Sequence, residues 1–163
     1  VLIRRDDGYE LSTDPTRIDV DRVHHWLSTD AYWAIGRPRD VLARAIAGST
    51  AFGVYRPTDG AQVAFARAVT DGATFAWLCD VYVDRAERGH GLGAWMVGSV
   101  RDELATRGVR RILLATLDAH GVYAGLGFTA LSDPVRWMEY DRRGVNPVTG
   151  NDREPSAPLT VTE

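Results

Sequence analysis

The spacing of hydrophobic and polar positions changes several times along the chain, and each change marks an element. Tyr9 to Thr13 alternates as a short half-buried strand does. From Ile18 or Asp19 to Leu27 the period lengthens. Ile18, Val20, Val23, Trp26 and Leu27 fall near one helical face, with Asp14 and Pro15 as start signals. Ser28 to Arg37 shows neither period and is predicted as a loop carrying Tyr32 and Trp33. Pro38 to Ala47 reads as a second helix, opened by proline and stopped by Gly48. Three strands follow, Phe52 to Tyr55, Gln62 to Val69 and Thr74 to Val83, with turns at Gly60 and at Asp71-Gly72. Leu92, Trp95, Met96, Val100 and Leu104 then mark a helix from Gly91 or Leu92 to about Arg107, ended by Gly108.

Beyond that helix, Arg110 to Thr116 contains the apolar run Ile112-Leu113-Leu114-Ala115, the pattern of a fully buried strand. A short helix is predicted over Ala119 to Gly125, and last strands over Phe128 to Leu131 and Arg136 to Tyr140. Strands, crossover helix and further strands imply a mixed α/β sheet with helices on both faces, in one three-layer domain over residues 1–141. From Arg142 to Glu163 the chain is rich in Pro, Gly, Asn, Ser and Thr, and is expected to be a disordered or loosely docked tail.

Composition changes this picture little. A net charge of −3 argues against nucleic acid as the main partner and suits a cationic acceptor slightly better. No apolar run approaches a membrane span and no signal-peptide pattern opens the chain, so no membrane association is expected. The single cysteine, Cys79, excludes an internal disulfide and fits a reducing cytoplasm; inside a strand it reads as a small core residue. His24 and His25 are adjacent and point to different helix faces, a poor metal pair, and no metal is expected. All 19 basic residues are arginine.

The chemistry concentrates in residues 80–98, where an apolar strand ends in a charged turn and Arg88-Gly89-His90-Gly91-Leu92-Gly93-Ala94 opens the long helix. The first N–H groups of a helix lack internal partners and sit at the positive end of its dipole. Gly91 and Gly93 allow a phosphate close to the backbone, and Arg88 adds a fork of donors. The glycine spacing does not match a dinucleotide fingerprint, and a chain without lysine has no P-loop.

Arg88, Gly91 and Gly93 do stand at the fixed positions of the acyl-CoA signature [RQ]-x-x-G-x-[GA]. Tyr123-Ala124-Gly125-Leu126-Gly127-Phe128, about 30 residues on, matches the Y-x-x-x-G-F that closes the same core. Over about residues 9–140 the chain therefore resembles the GNAT superfamily of N-acetyltransferases, in the form of a small bacterial single-domain member. The stretch Tyr32-Trp33-Ala34 to Gly36-Arg37-Pro38 also resembles small bacterial members. The resemblance implies a mostly antiparallel sheet splayed at its central strands, and acetyl-CoA as co-substrate. It implies that the backbone of Val81, Tyr82 and Val83 pairs with the pantetheine arm while Arg88 to Ala94, His90 and Leu92 included, hold the diphosphate. It also implies that Tyr123 is the general acid.

Asp80, a carboxylate in an apolar strand, is the candidate base or amine-binding group; a structural carboxylate bonded to backbone or arginine is the competing reading. Parity is a caution, because GNAT bases more often align with Trp77 or Cys79, and a bulge would change the facing. His120, Asp118 and a water chain are further candidates. Tyr32 and Trp33 can plug the core or wall a pocket; with Trp77 they could form an aromatic acceptor wall. The resulting expectation is an N-acetyltransferase, monomeric or homodimeric, acting on a small or amino-acid-like amine. A protein or peptide acetyltransferase and a non-catalytic acyl-CoA sensor are the alternatives.

Overall fold

The structure, a computed structural model, describes residues 1–141. These fall into two compact units, Val1–Phe128 and a short second one that begins at Thr129. The expected tail, 142–163, lies outside the described residues.

The first unit holds a six-stranded sheet in sequence order: β1 (Leu2–Arg4), β2 (Glu10–Ser12), β3 (Thr50–Tyr55), β4 (Gln62–Thr70), β5 (Phe75–Val83) and β6 (Arg111–Leu113). Every pairing is antiparallel except β5 with β6, which is parallel. Between β5 and β6 the chain must cross over the sheet, and α3 (Leu92–Thr106) makes that crossing. Helices α1 (Val20–Thr29) and α2 (Arg39–Ala47) precede β3, and the short α4 (His120–Ala124) follows β6.

Two cores explain the three layers. On one face Leu92, Met96, Val97, Val100 and Leu104 of α3 pack on Ala64, Ala66 and Ala68 of β4 and on Ala76 and Leu78 of β5. On the other, Val23, Trp26 and Leu27 of α1 and Leu42 and Ile46 of α2 close over Ala51, Phe65 and Tyr82. Fully burying Phe65 contributes about 1.5–3 kcal/mol to that second layer.

The structure departs from the sequence expectations at the edges. β1 was not expected; it is only three residues long and forms because Arg5 to Gly8 turns it back onto β2. β6 is shorter than the 110–116 run. No strand forms from Phe128 to Tyr140 within the described residues: the second unit has a single 3-10 turn at Pro134–Arg136. Pro134 lacks a ladder donor and starts that turn, so the β-forming residues around it have no register to join.

Candidate functional site

The site begins with an irregularity in β5. Phe65 pairs with Tyr82 but Arg67 with Cys79, so β5 carries one extra residue there. Asp80 absorbs it with φ 53°, the one positive φ at a non-glycine residue among the described residues. Such a backbone costs about 1–3 kcal/mol and persists only where its surroundings hold it. After the bulge Val81 and Val83 join the α3 side of the sheet, while Tyr82 joins the α1–α2 side.

Two arginines hold Asp80. Its Oδ2 accepts from Arg67 Nε at 2.6 Å and from Arg37 Nη1 at 2.7 Å, and its side chain is only 2% exposed. Burial pushes the carboxyl upward, but the bonds and charges of Arg37 and Arg67 outweigh it, leaving the carboxyl below its ordinary range. It is an ionised, paired carboxylate.

Beyond the bulge the sheet opens. β6 pairs only with Phe75 to Trp77, so among the described residues the end of β5 has no strand neighbour on that side. Asp84 N–H donates to Val63 on β4 at 2.9 Å. By alternation the Tyr82 backbone also faces β4, whereas the main-chain groups of Val81 and Val83 face the gap. The gap is part of a cleft of about 650 Å³ whose lining includes Tyr32, Trp33, Val81, Tyr82, Val83, Arg88, Gly89, Gly91, Leu92, Gly93 and Ala94. His90, Trp77, Asp80 and Tyr123 are not on its wall. Asp118, a further base candidate, is on it, as are Asp30, Arg85, Glu87, Ala119 and Val122, which the sequence reading did not assign to the site.

The loop from Asp84 to α3 is braced from outside the cleft. Buried Glu87 accepts from Tyr9 at 2.5 Å and from Arg56 at 2.8 Å, and Arg5 donates to the His90 carbonyl at 2.7 Å. The bond to Glu87 is the main reason the Tyr9 phenol titrates above its usual range. Gly91 caps α3 in the left-handed region, φ 70°, and a Cβ there would meet nothing within 4 Å. Among the described residues, no acceptor bonds the N–H groups from Gly89 to Ala94. The loop is thus an open row of donors at the positive end of a fifteen-residue helix.

Asp30, the residue that caps the C-terminus of α1, faces this loop. It accepts from the Tyr82 hydroxyl at 2.6 Å, from Arg88 Nη2 at 3.2 Å and from Arg85. The Arg85 bond first and the Tyr82 bond second hold its carboxyl well below the usual range. Tyr82 stacks on Trp26 at 5.4 Å, and burial with the Asp30 bond pushes its phenol up to about 12. Arg88 also donates through Nε to the Val83 carbonyl at 3.0 Å.

A family profile described as the acetyltransferase (GNAT) family matches residues 20–128, from the start of α1 to the end of the first unit. The chain belongs to the GNAT acetyltransferase family. It is similar to a protein of Gibberella zeae named as an acetyltransferase, 36% identical over 128 residues, covering 68% of this chain and 72% of that protein. A crystal structure from Xanthomonas campestris pv. campestris, described as an acetyltransferase of the GNAT family, is 41% identical with a TM-score of 0.78, over 85% of this chain and 96% of that one. Serotonin N-acetyltransferase 2, chloroplastic, of Oryza sativa subsp. japonica is 30% identical over 83% of this chain and 68% of its own length.

In this GNAT acetyltransferase the loop between α1 and α2 supplies one wall of the cleft. Tyr32 and Trp33 meet edge to face at 4.9 Å, and the Tyr32 hydroxyl accepts from Leu117 N–H at 3.0 Å, which turns Tyr32 toward the segment after β6. Trp77 is exposed on β5 three residues before Asp80. Tyr123, on α4, lies half buried against the α3-side core and edge-on to Phe128 at 5.8 Å. Burial raises its pKa, with smaller contributions from Tyr32 and Asp118, so the phenol keeps its proton at neutral pH. Burial likewise pushes the Cys79 thiol up to about 11, which makes it a poor nucleophile.

Proposed function

We propose that this acetyltransferase moves an acetyl group from acetyl-CoA to the primary amine of a small, amino-acid-like acceptor, by direct attack on the thioester. The observation that carries the reading is the row of unbonded N–H groups of Gly89 and of Gly91 to Ala94, residues that line a cleft and are preceded by Arg88. A diphosphate fits that row, because nothing fills the space a Cβ of Gly89 or Gly91 would occupy. Acetyl-CoA supplies the activated acyl group; the protein binds, orients and manages charge. Val81 and Val83, whose backbone faces the gap, would receive the pantetheine arm as an added strand, and an N–H there would stabilise charge developing on the carbonyl oxygen.

Tyr123, held protonated by burial, is the group that would donate to the departing thiolate. Asp80 is assigned to positioning rather than proton abstraction, since two guanidinium groups hold it ionised and weakly basic. The amine proton would pass to water in the cleft. Tyr32 and Trp33, with Trp77 beyond, would face an acceptor, and the likeness to a plant serotonin N-acetyltransferase favours a small amine. A cytoplasmic protein without metal is the matching setting.

Two substitutions test this. Gly91→Glu places bulk, strain and negative charge in the cradle and should abolish acetyl-CoA binding in calorimetry; undiminished binding would reject the loop assignment. Tyr123→Phe should keep that binding while free-CoA release falls about 100-fold or more. Unchanged turnover would remove Tyr123 from the mechanism, and wild-type binding without turnover on any amine would point to a sensor. Because the chain contains no lysine, acetyl-lysine formed on an added protein would reveal a protein acceptor unambiguously.

A further inference from the structure

Beside the bulge lies a cluster whose charge does not balance. Arg67 Nε and Arg37 Nη1 both donate to one atom, Asp80 Oδ2, at 2.6 and 2.7 Å. Two cations share one anion, so one positive charge is left over. Their side chains are 14% and 21% exposed, lower than any other ion-paired arginine of the described residues. Among those residues no second carboxylate bonds either guanidinium, and Nη1 and Nη2 of Arg67 have no acceptor. The neighbouring Cys79 is neutral and supplies no counter-charge. A cation kept mostly from water without a matching anion is costly.

The position of the surplus charge suggests what meets it. Asp80 immediately precedes Val81, whose backbone faces the cleft, and Arg37 belongs to the same loop as Trp33 on the cleft wall, so the cluster adjoins that wall although Arg37, Arg67 and Asp80 are not part of it. We propose that Arg67 and Arg37 seat a carboxylate of the acceptor, so that the preferred substrate is an amine that also carries a carboxylate. One surplus charge matches a monoanion better than a phosphate dianion, and the planar fork of Arg67 suits two carboxylate oxygens. The arrangement also gives Asp80 a role: it neutralises half of the arginine charge and fixes both guanidinium groups. The inference rests on the acetyltransferase reading above.

The test measures free-CoA release by the full chain on matched acceptors, each an amino acid and its own carboxamide. The carboxylate form should have a kcat/KM at least about tenfold higher, the scale of a hydrogen bond to a charged group. Arg67→Gln should reduce that ratio to near one, and Arg67→Lys, which keeps charge but loses the fork, should fall between. Because Arg67→Gln can also perturb folding, the wild-type ratio decides by itself, and the charge-balanced Arg67→Gln/Asp80→Asn pair provides a second variant. Carboxamides turned over as well as carboxylates, or a preference that survives Arg67→Gln and Arg37→Gln, overturns the proposal alone. Failure to acetylate any amine overturns the enzyme reading and this one with it.

Discussion

Arginine pairs meet a single aspartate at two places in the first unit, Arg85 and Arg88 at Asp30, and Arg37 and Arg67 at Asp80. The stoichiometry is the same, but the setting is not. Around Asp30 the arginine side chains are 72% and 49% exposed; around Asp80 they are 14% and 21% exposed. Water and salt screen the first group, so trading a carboxylate for a phosphate there costs little. The second group sits where charge–charge energies are large and unpaired charge is penalised, so it behaves as part of the frame. The first cluster would exchange partners readily, whereas the second holds the bulge in place.

The largest way to sharpen this contrast is Asp80→Ala. Removing the shared anion of a buried cluster should cost about 3–5 kcal/mol in urea unfolding at neutral pH. The pH dependence follows from the lowered folded pKa of Asp80. The stabilisation is present above the unfolded value, near 3.9, and is lost as pH falls through the folded one, so the gap between variant and wild type should narrow below about pH 4. A gap that instead widened in acid would contradict the assigned ion pairs.

Arg88→Ala should act on binding instead. Its acetyl-CoA dissociation constant should rise about tenfold in calorimetry, the loss of one charge-assisted contact, with the urea midpoint unchanged. A stability loss comparable to that of Asp80→Ala would erase the distinction between the clusters. Asp30→Ala should have the smallest effect: an unfolding curve close to wild type and slightly tighter acetyl-CoA binding, because no carboxylate competes for Arg85 and Arg88. Weaker binding would show that Asp30 orients those arginines for the ligand.

The legible parts of the chain were those with local causes. Val23, Trp26 and Leu27 showed α1, and Leu92, Met96, Val100 and Leu104 showed α3, because one helix face repeats every 3.6 residues. Arg88, Gly91 and Gly93 were readable because an open turn into a helix start needs particular residue types at particular spacings. Asp80 was visible as an anomaly, a carboxylate in an apolar strand, but its meaning was not. Its partners Arg37 and Arg67 lie 43 and 13 residues away, on a loop and a neighbouring strand. Asp30 left no signal, since only the packing of α1 against β5 brings it to residues 82–88. The misread strands after Phe128 show the converse, β-forming composition with no ladder to join.

By itself the sequence determined the order of the four helices and of the strands from β2 to β6, the glycine-rich turn before α3 and the family, because each depends on contacts within a few residues. Tertiary structure decided which face Asp80 takes, where β5 and β6 part, and which arginines share which carboxylate. Those outcomes depend on register and on distances between segments far apart in the chain, and neither is written in local periodicity.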